Sequence, residues 1–161
     1  MAAGRRPMTG PILGIDPGAK GAIALLGGDG RLLSVDDMPD VRGAALGTQL
    51  RELLNDLRPY EVDVAWVEQV HAMPRQGVAS TWRFAENYGA ILGALGAMRI
   101  PVEHVTPNTW KRSQRVTADK SSSRQRFCEL WPDDAELVRR VRDDGRAEAA
   151  LIARHGWMAQ R

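Results

Sequence analysis

Residues 12–26 read ILGIDPGAKGAIALL, and this stretch decides the fold. A short, continuous apolar run is the pattern of a strand buried on both faces. Asp16 interrupts the run, and a buried carboxylate without a partner is costly. ILGID and AIALL are therefore read as two strands around the PGAKG bend, with Asp16 ending the first and needing a partner from elsewhere in the chain.

Working outward, GGDG (27–30) is a hairpin turn and RLLSVDD (31–37) a third strand, which makes an antiparallel meander. AALGTQLRELLNDLRP (44–59) sets Leu46, Leu50, Leu53 or Leu54, and Leu57 at helical intervals and stops at Pro59. VDVAWVEQV (62–70) has strand composition. After the loop AMPRQG, residues 78–98 space Val78, Trp82, Ala85, Leu92 and Leu95 as a helix, with Gly89, Gly93 and Gly96 between them. So many glycines suit a helix that approaches another backbone closely, either in the core or at a dimer seam. Trp66 and Trp82 are read as core or interface residues. PVEHVTP (101–107) is a fifth strand, and helices separated by polar loops follow. The predicted fold is α/β: a five-stranded mixed sheet, with a three-stranded antiparallel meander and parallel strands, flanked by helices. Residues 1–10 are expected to be a flexible leader and 11–161 a single domain.

With 161 residues, 43% of them hydrophobic and 26% charged, the chain can bury a core of ordinary size. No apolar run of signal-peptide length follows Arg5 and Arg6, and none approaches a membrane span, so a cytoplasmic protein without a membrane partner is expected. One cysteine excludes an internal disulfide and a cysteine-based zinc cluster; Cys128, within RFCEL, is read as a small buried hydrophobe. The net charge of +2 is unevenly placed. Arg99, Lys111, Arg112, Arg115, Lys120, Arg124 and Arg126 face only Glu103 and Asp119 between residues 99 and 126, a strip suited to phosphates or simply to solvent.

Glu68 closes VAWVE as Asp16 closes ILGID. If those two strands are parallel neighbours, both carboxylates leave the same sheet edge and repel, unless one is protonated or a cation lies between them. In the C-terminal VRDDGRAEAALIARHGW, Asp144 stands about 40° round a helix from Glu148 and Asp143 about 140°, so Asp144 shares the face of Glu148. Small residues around them let this helix lie close to the sheet. Four carboxylates would then converge, and oxygen donors without His or Cys favour Mg²⁺ or Mn²⁺ over zinc. Two such ions at about 3.5–4 Å suit in-line phosphodiester hydrolysis. Each acid also has a plain structural reading: an Asx turn for Asp16, an ion pair for Glu68, and helix capping for Asp144 and still more for Asp143.

ILGIDPGAKGAIAL, VAWVEQV and DGRAEAALIA, in this order and within this length, resemble the motifs of the RuvC-type crossover junction endodeoxyribonucleases, the Holliday junction resolvases of the RNase H-like superfamily. The resemblance runs from about Pro11 to the C-terminus, and the compact form is most similar to phage or prophage versions. It implies an RNase H-like fold and catalytic, metal-binding roles for Asp16, Glu68, Asp144 and Glu148, with two Mg²⁺ per site and Mn²⁺ as a substitute. One departure stands out: bacterial resolvases carry two aspartates three residues apart on the last helix, and that offset before Glu148 falls on Gly145.

The resemblance also implies that Lys111 and Lys120 lie near the scissile phosphate, with Lys120 taking part in catalysis, while Arg112, Arg115, Arg124 and Arg126 hold flanking phosphates. His71 stands where some relatives carry a stacking aromatic, and Met73 or Arg75 in the same loop would serve as a wedge in the DNA. The implied substrate is a four-way DNA junction, cut by paired symmetric nicks from a homodimer. Competing readings are an RNase H-like nuclease for other branched DNA or structured RNA, and a junction-binding protein without catalysis. An actin-like kinase fails on length, because its phosphate loops need a second domain.

Overall fold

A computed structural model describes residues 10–70 and 77–161, the side chain of Lys120 apart. The expected leader, but for Gly10, and the loop residues His71, Met73 and Arg75 lie outside the described residues. Strands β1 (Ile12–Asp16), β2 (Ala22–Leu26) and β3 (Leu32–Asp37) form the meander. Helix α1 (Gly43–Asp56) leads to β4 (Val64–Glu68), α2 (Val78–Ala97) to β5 (Val102–Val105), and α3 (Pro107–Gln114), α4 (Lys120–Leu130) and α5 (Asp144–Ala159) complete the order.

The sheet runs β3-β2-β1-β4-β5, with β1–β2 and β2–β3 antiparallel and β1–β4 and β4–β5 parallel. The hairpin predicted at GGDG closes through Gly27 N–H to Arg31 O, with Gly30 at φ 84°, a conformation glycine adopts freely. Side-chain alternation splits the core. Leu13, Ile15, Ile23, Leu25, Ala65 and Val67 pack beneath α1 and α2, while Ala22, Ala24 and Leu26 meet Trp110, Phe127 and the alanine face of α5. Gly14 belongs to the second face. A Cβ there would collide with Ala149 O and Ala153 N, so a missing side chain lets α5 lie directly on β1.

Helix α2 forms where the spacing placed it, and its apolar residues divide between core and surface. Ile91, Ala94 and Leu95 are buried, but Val78 and Trp82 are 87% and 71% exposed, and Ala85 is exposed too. Only the last turns of this helix lie over the sheet, which leaves the first half of the apolar stripe outside the core. Cys128 is partly rather than fully buried. Among the described residues no helix is long and apolar enough to cross a membrane.

Candidate active site

Parity along the strands decides which side chains can meet. Asp16 has the parity of Gly14, and Glu68 that of Trp66, so both acids leave the sheet on the α5 face. Ile15 pairs in register with Val67, which places Asp16 beside Glu68 at the carboxyl ends of adjacent parallel strands. This is the juxtaposition expected from the repeated apolar-strand-then-acid pattern.

Asp16 Oδ1 accepts the Gly18 N–H at 3.0 Å, an Asx turn that fixes the carboxylate at the mouth of the β1–β2 bend. Glu68 Oε2 accepts the indole N–H of Trp110 at 2.6 Å. Trp110 is fully buried, and the Lys111 ammonium stands 5.3 Å from its ring centroid and 3.8 Å from Glu148 Oε1. Burial pushes the Glu68 carboxyl up; the Trp110 bond and Lys111 oppose the rise, and the charge of Glu148 adds to it. Glu68 and Glu148 therefore feel each other across the space between β4 and α5.

Asp144 opens α5, and its Oδ1 lies 2.8 Å from Arg124 Nε. The approach is off the N–H axis, so this buried oxygen accepts no hydrogen bond although the charges attract. Arg124, expected on a flanking phosphate, is thus engaged with a candidate ligand instead. Arg112 and Arg115 are exposed, and their side chains have no partner among the described residues, as phosphate-facing groups would. Lys120 begins α4, behind the Asp119 cap.

Asp143 is turned the other way. It lies in a short 3₁₀ turn (Val141–Asp143) and is buried, accepting hydrogen bonds from Arg140 N–H at 2.9 Å and from its guanidinium at 2.8–3.1 Å. Burial alone would raise its pKa, yet these bonds hold it below the ordinary value. Its side chain does not make the capping bond to α5 expected of it, and instead ties the chain to Arg140 and anchors the entry to the helix. Asp143→Asn is accordingly expected to lower the melting temperature with turnover nearly unchanged, and Asp144→Asn to do the reverse. Thermal melts beside single-turnover cleavage rates check both, and the opposite pattern would move the fourth ligand to Asp143.

No three acidic, His or Cys side chains among the described residues surround one point closely enough to hold an ion as they stand. The donor set nevertheless fits a hard cation. It is all oxygen, it includes a buried Asp144 oxygen lacking a hydrogen bond, and it sets Glu68 against Glu148 with Lys111 and Arg124 supplying positive charge.

A second consequence concerns stability without metal. Because the folded pKa of Glu68 is raised, folding takes up a proton between the ordinary carboxylate value and the raised one, and stability falls as pH rises through that interval. Glu68→Gln keeps an acceptor for Trp110 and removes the charge. The metal-free variant is expected to melt above the wild type at pH 8, with the gap closing toward pH 4; a wild type that melts higher at pH 8 would contradict this.

Sequence reasoning did not assign Trp110 its part as donor to Glu68; its place beside Lys111 was the available signal. It also missed a partly buried network behind the site. Ser113 Oγ meets His155 Nδ1 at 2.8 Å, Gln114 Nε2 donates to Ser113 Oγ at 3.0 Å, and Arg154 donates to Gln114 Oε1 at 2.7 Å. Burial lowers the pKa of His155, whose ring packs edge-on against Trp66. These contacts pin α3, which carries Lys111, to α5, which carries Glu148.

No protein-family model matches the chain, and no curated protein is significantly similar in sequence. Among solved structures, Thermus thermophilus RuvC in complex with a Holliday junction substrate superposes with a TM-score of 0.66 at 19% identity, over 92% of this chain and 94% of that one. Thermus thermophilus RuvC alone gives 0.62 at 18% identity, over 92% and 95%. Ydc2, the yeast mitochondrial Holliday junction resolvase, gives 0.64 at 19%, over 94% and 80%. With its five-stranded mixed sheet, strand-end acids and closing helix, the chain has the RuvC-type, RNase H-like fold that its motifs resemble.

Proposed function

We propose that the chain is a divalent-metal-dependent endonuclease that resolves four-way DNA junctions by paired nicks. The observation that carries this reading is the placement of Asp16 and Glu68 at adjacent parallel strand ends, facing Glu148 of α5, within a fold shared with junction resolvases. Asp16, Glu68, Asp144 and Glu148 would hold two Mg²⁺ ions, with Mn²⁺ able to replace them. Such ions, when bound, activate water and offset charge on the phosphate. Trp110 fixes one oxygen of Glu68, and Lys111 stands over the same carboxylate cluster, where an ammonium also offsets charge developing on the leaving oxygen. Lys120 is assigned the same duty. Arg112, Arg115 and, once released from Asp144, Arg124 hold flanking phosphates without reading sequence. His71, Met73 and Arg75 are assigned to the junction centre.

Two symmetric cuts call for two copies. Val78, Trp82, Ala85, Gly89, Gly93 and Gly96 form an exposed stripe along α2, and a Cβ at any of these three glycines meets nothing within 4 Å. A second copy of α2 is the partner that suits it, since glycines let two helix backbones approach. Gly93→Arg is expected to give a folded monomer by light scattering, because the added side chain points into open space; a dimer that persists would place the interface elsewhere.

The test is cleavage of a mobile four-way junction, a flap, a plain duplex and a structured RNA, each with Mg²⁺ and with chelator. Paired nicks in the junction that need Mg²⁺ are expected. Preferential RNA or flap cutting would favour the other nuclease readings, and tight junction binding without nicking would leave a binding protein.

A further inference from the structure

Next to the bend that follows Asp16 lies a cavity of about 450 Å³, walled by that β1–β2 bend, the loop between β3 and α1, and the first half of α2. It adjoins Asp16, since Gly18, which donates to Asp16 Oδ1, is part of its wall. From this we infer, resting on the nuclease reading above, that the cavity takes one unpaired nucleotide of the strand being cut, next to the scissile phosphate, and reads its base.

The lining has the chemistry such a ligand needs. Arg42 and Arg83 are exposed at the cavity, and neither meets a carboxylate among the described residues. Arg83 spends only its Nε, on Ala79 O at 3.2 Å one turn back, which leaves its terminal nitrogens to bind a phosphate. Phe84 is partly buried and held by stacking on Tyr88, with centroids 5.9 Å apart and planes 25° from parallel. A ring fixed in this way is a platform on which a base stacks.

Asn87 supplies the selective group. Its Oδ1 accepts the Gly43 N–H at 3.3 Å, which settles the orientation of the amide and leaves the Nδ2 hydrogens to donate. Asp40, exposed on the opposite loop, brings an acceptor. Two cations, an aromatic face, one fixed donor and one acceptor, in a volume within the range of small-molecule sites, match a nucleotide better than an apolar ligand or a bare anion.

The test is a pool of mobile junctions randomised at the positions flanking the crossover, cut by the wild type and by two variants, with the products sequenced. Asn87→Asp retains the acceptor for Gly43 and replaces the donor with an acceptor. It is expected to change the preferred base at one flanking position, altering the ratio to the next base by about tenfold or more. Arg83→Ala is expected to slow cutting of all sequences alike. Identical base profiles for wild type and Asn87→Asp would overturn the inference. A second measurement does not depend on cutting: the side-chain amide signals of Asn87 in a ¹H–¹⁵N spectrum should shift as a short single-stranded DNA is added, and an unmoved signal also overturns it. Failure of the wild type to cut any junction would instead defeat the nuclease reading, with the titration still deciding the cavity.

Discussion

Asp16→Asn and Glu68→Gln are each expected to lower junction cleavage by about a thousandfold or more while the affinity for the junction stays close to that of the wild type. Both changes keep the shape of the side chain. Asparagine retains the oxygen that caps the Gly18 N–H, and glutamine retains one for the Trp110 indole, so the local hydrogen bonds survive. What disappears is one negative charge at the place where two strand ends and α5 meet. The proposed phosphate contacts, Arg112 and Arg115, lie elsewhere and should hold the DNA as before. Single-turnover cleavage and gel-shift titration separate the two effects. Loss of binding together with loss of folded protein would make these acids structural.

Gly14→Ala should be a severely damaging single methyl. Its Cβ would meet Ala149 O and Ala153 N, atoms of the α5 backbone that no rotamer change can move aside. Relief requires lifting α5 from β1, so the cost should reach the upper end of overpacking, about 3 kcal/mol. Activity falls as well, because α5 carries Asp144 and Glu148 while β1 carries Asp16, and a displacement of about 1 Å between reacting groups can cost about a hundredfold. Gly47→Ala on α1 is the control. Nothing lies within 4 Å of its Cβ, so the gain in helix propensity should stabilise the fold by roughly 0.5–1 kcal/mol. Denaturant melts of the two variants check the contrast, and equal effects would mean that α5 can slide over β1.

The same residues explain why so much was legible in advance. Continuous apolar runs in ILGID, AIALL and VAWVE, buried on both faces, defined the strands, and an acid closing two of them pointed to a shared edge; both are local patterns that survive folding. Helical offsets alone separated Asp144 from Asp143. On α2, periodicity reports an apolar stripe without saying what covers it, so core and dimer seam stayed open until the exposure of Val78 and Trp82 set the first half outside the core. The pairing of Arg124 with Asp144 and the bond from Trp110 to Glu68 were invisible for another reason. They join residues 20 and 42 positions apart through the docking of α3 and α4, which no local pattern encodes. The cavity beside Gly18 likewise exists only once the bend, the loop after β3 and α2 are assembled.

Asp16, Glu68, Asp144 and Glu148 are proposed to form one metal centre. This is tested most directly by anomalous diffraction from crystals of the protein bound to a four-way junction and soaked in Mn²⁺. Two anomalous peaks about 3.5–4 Å apart among these four carboxylates, with Arg124 drawn away from Asp144, is the expected result. Mn²⁺ absent from this cluster, or bound elsewhere while cleavage proceeds, would contradict it.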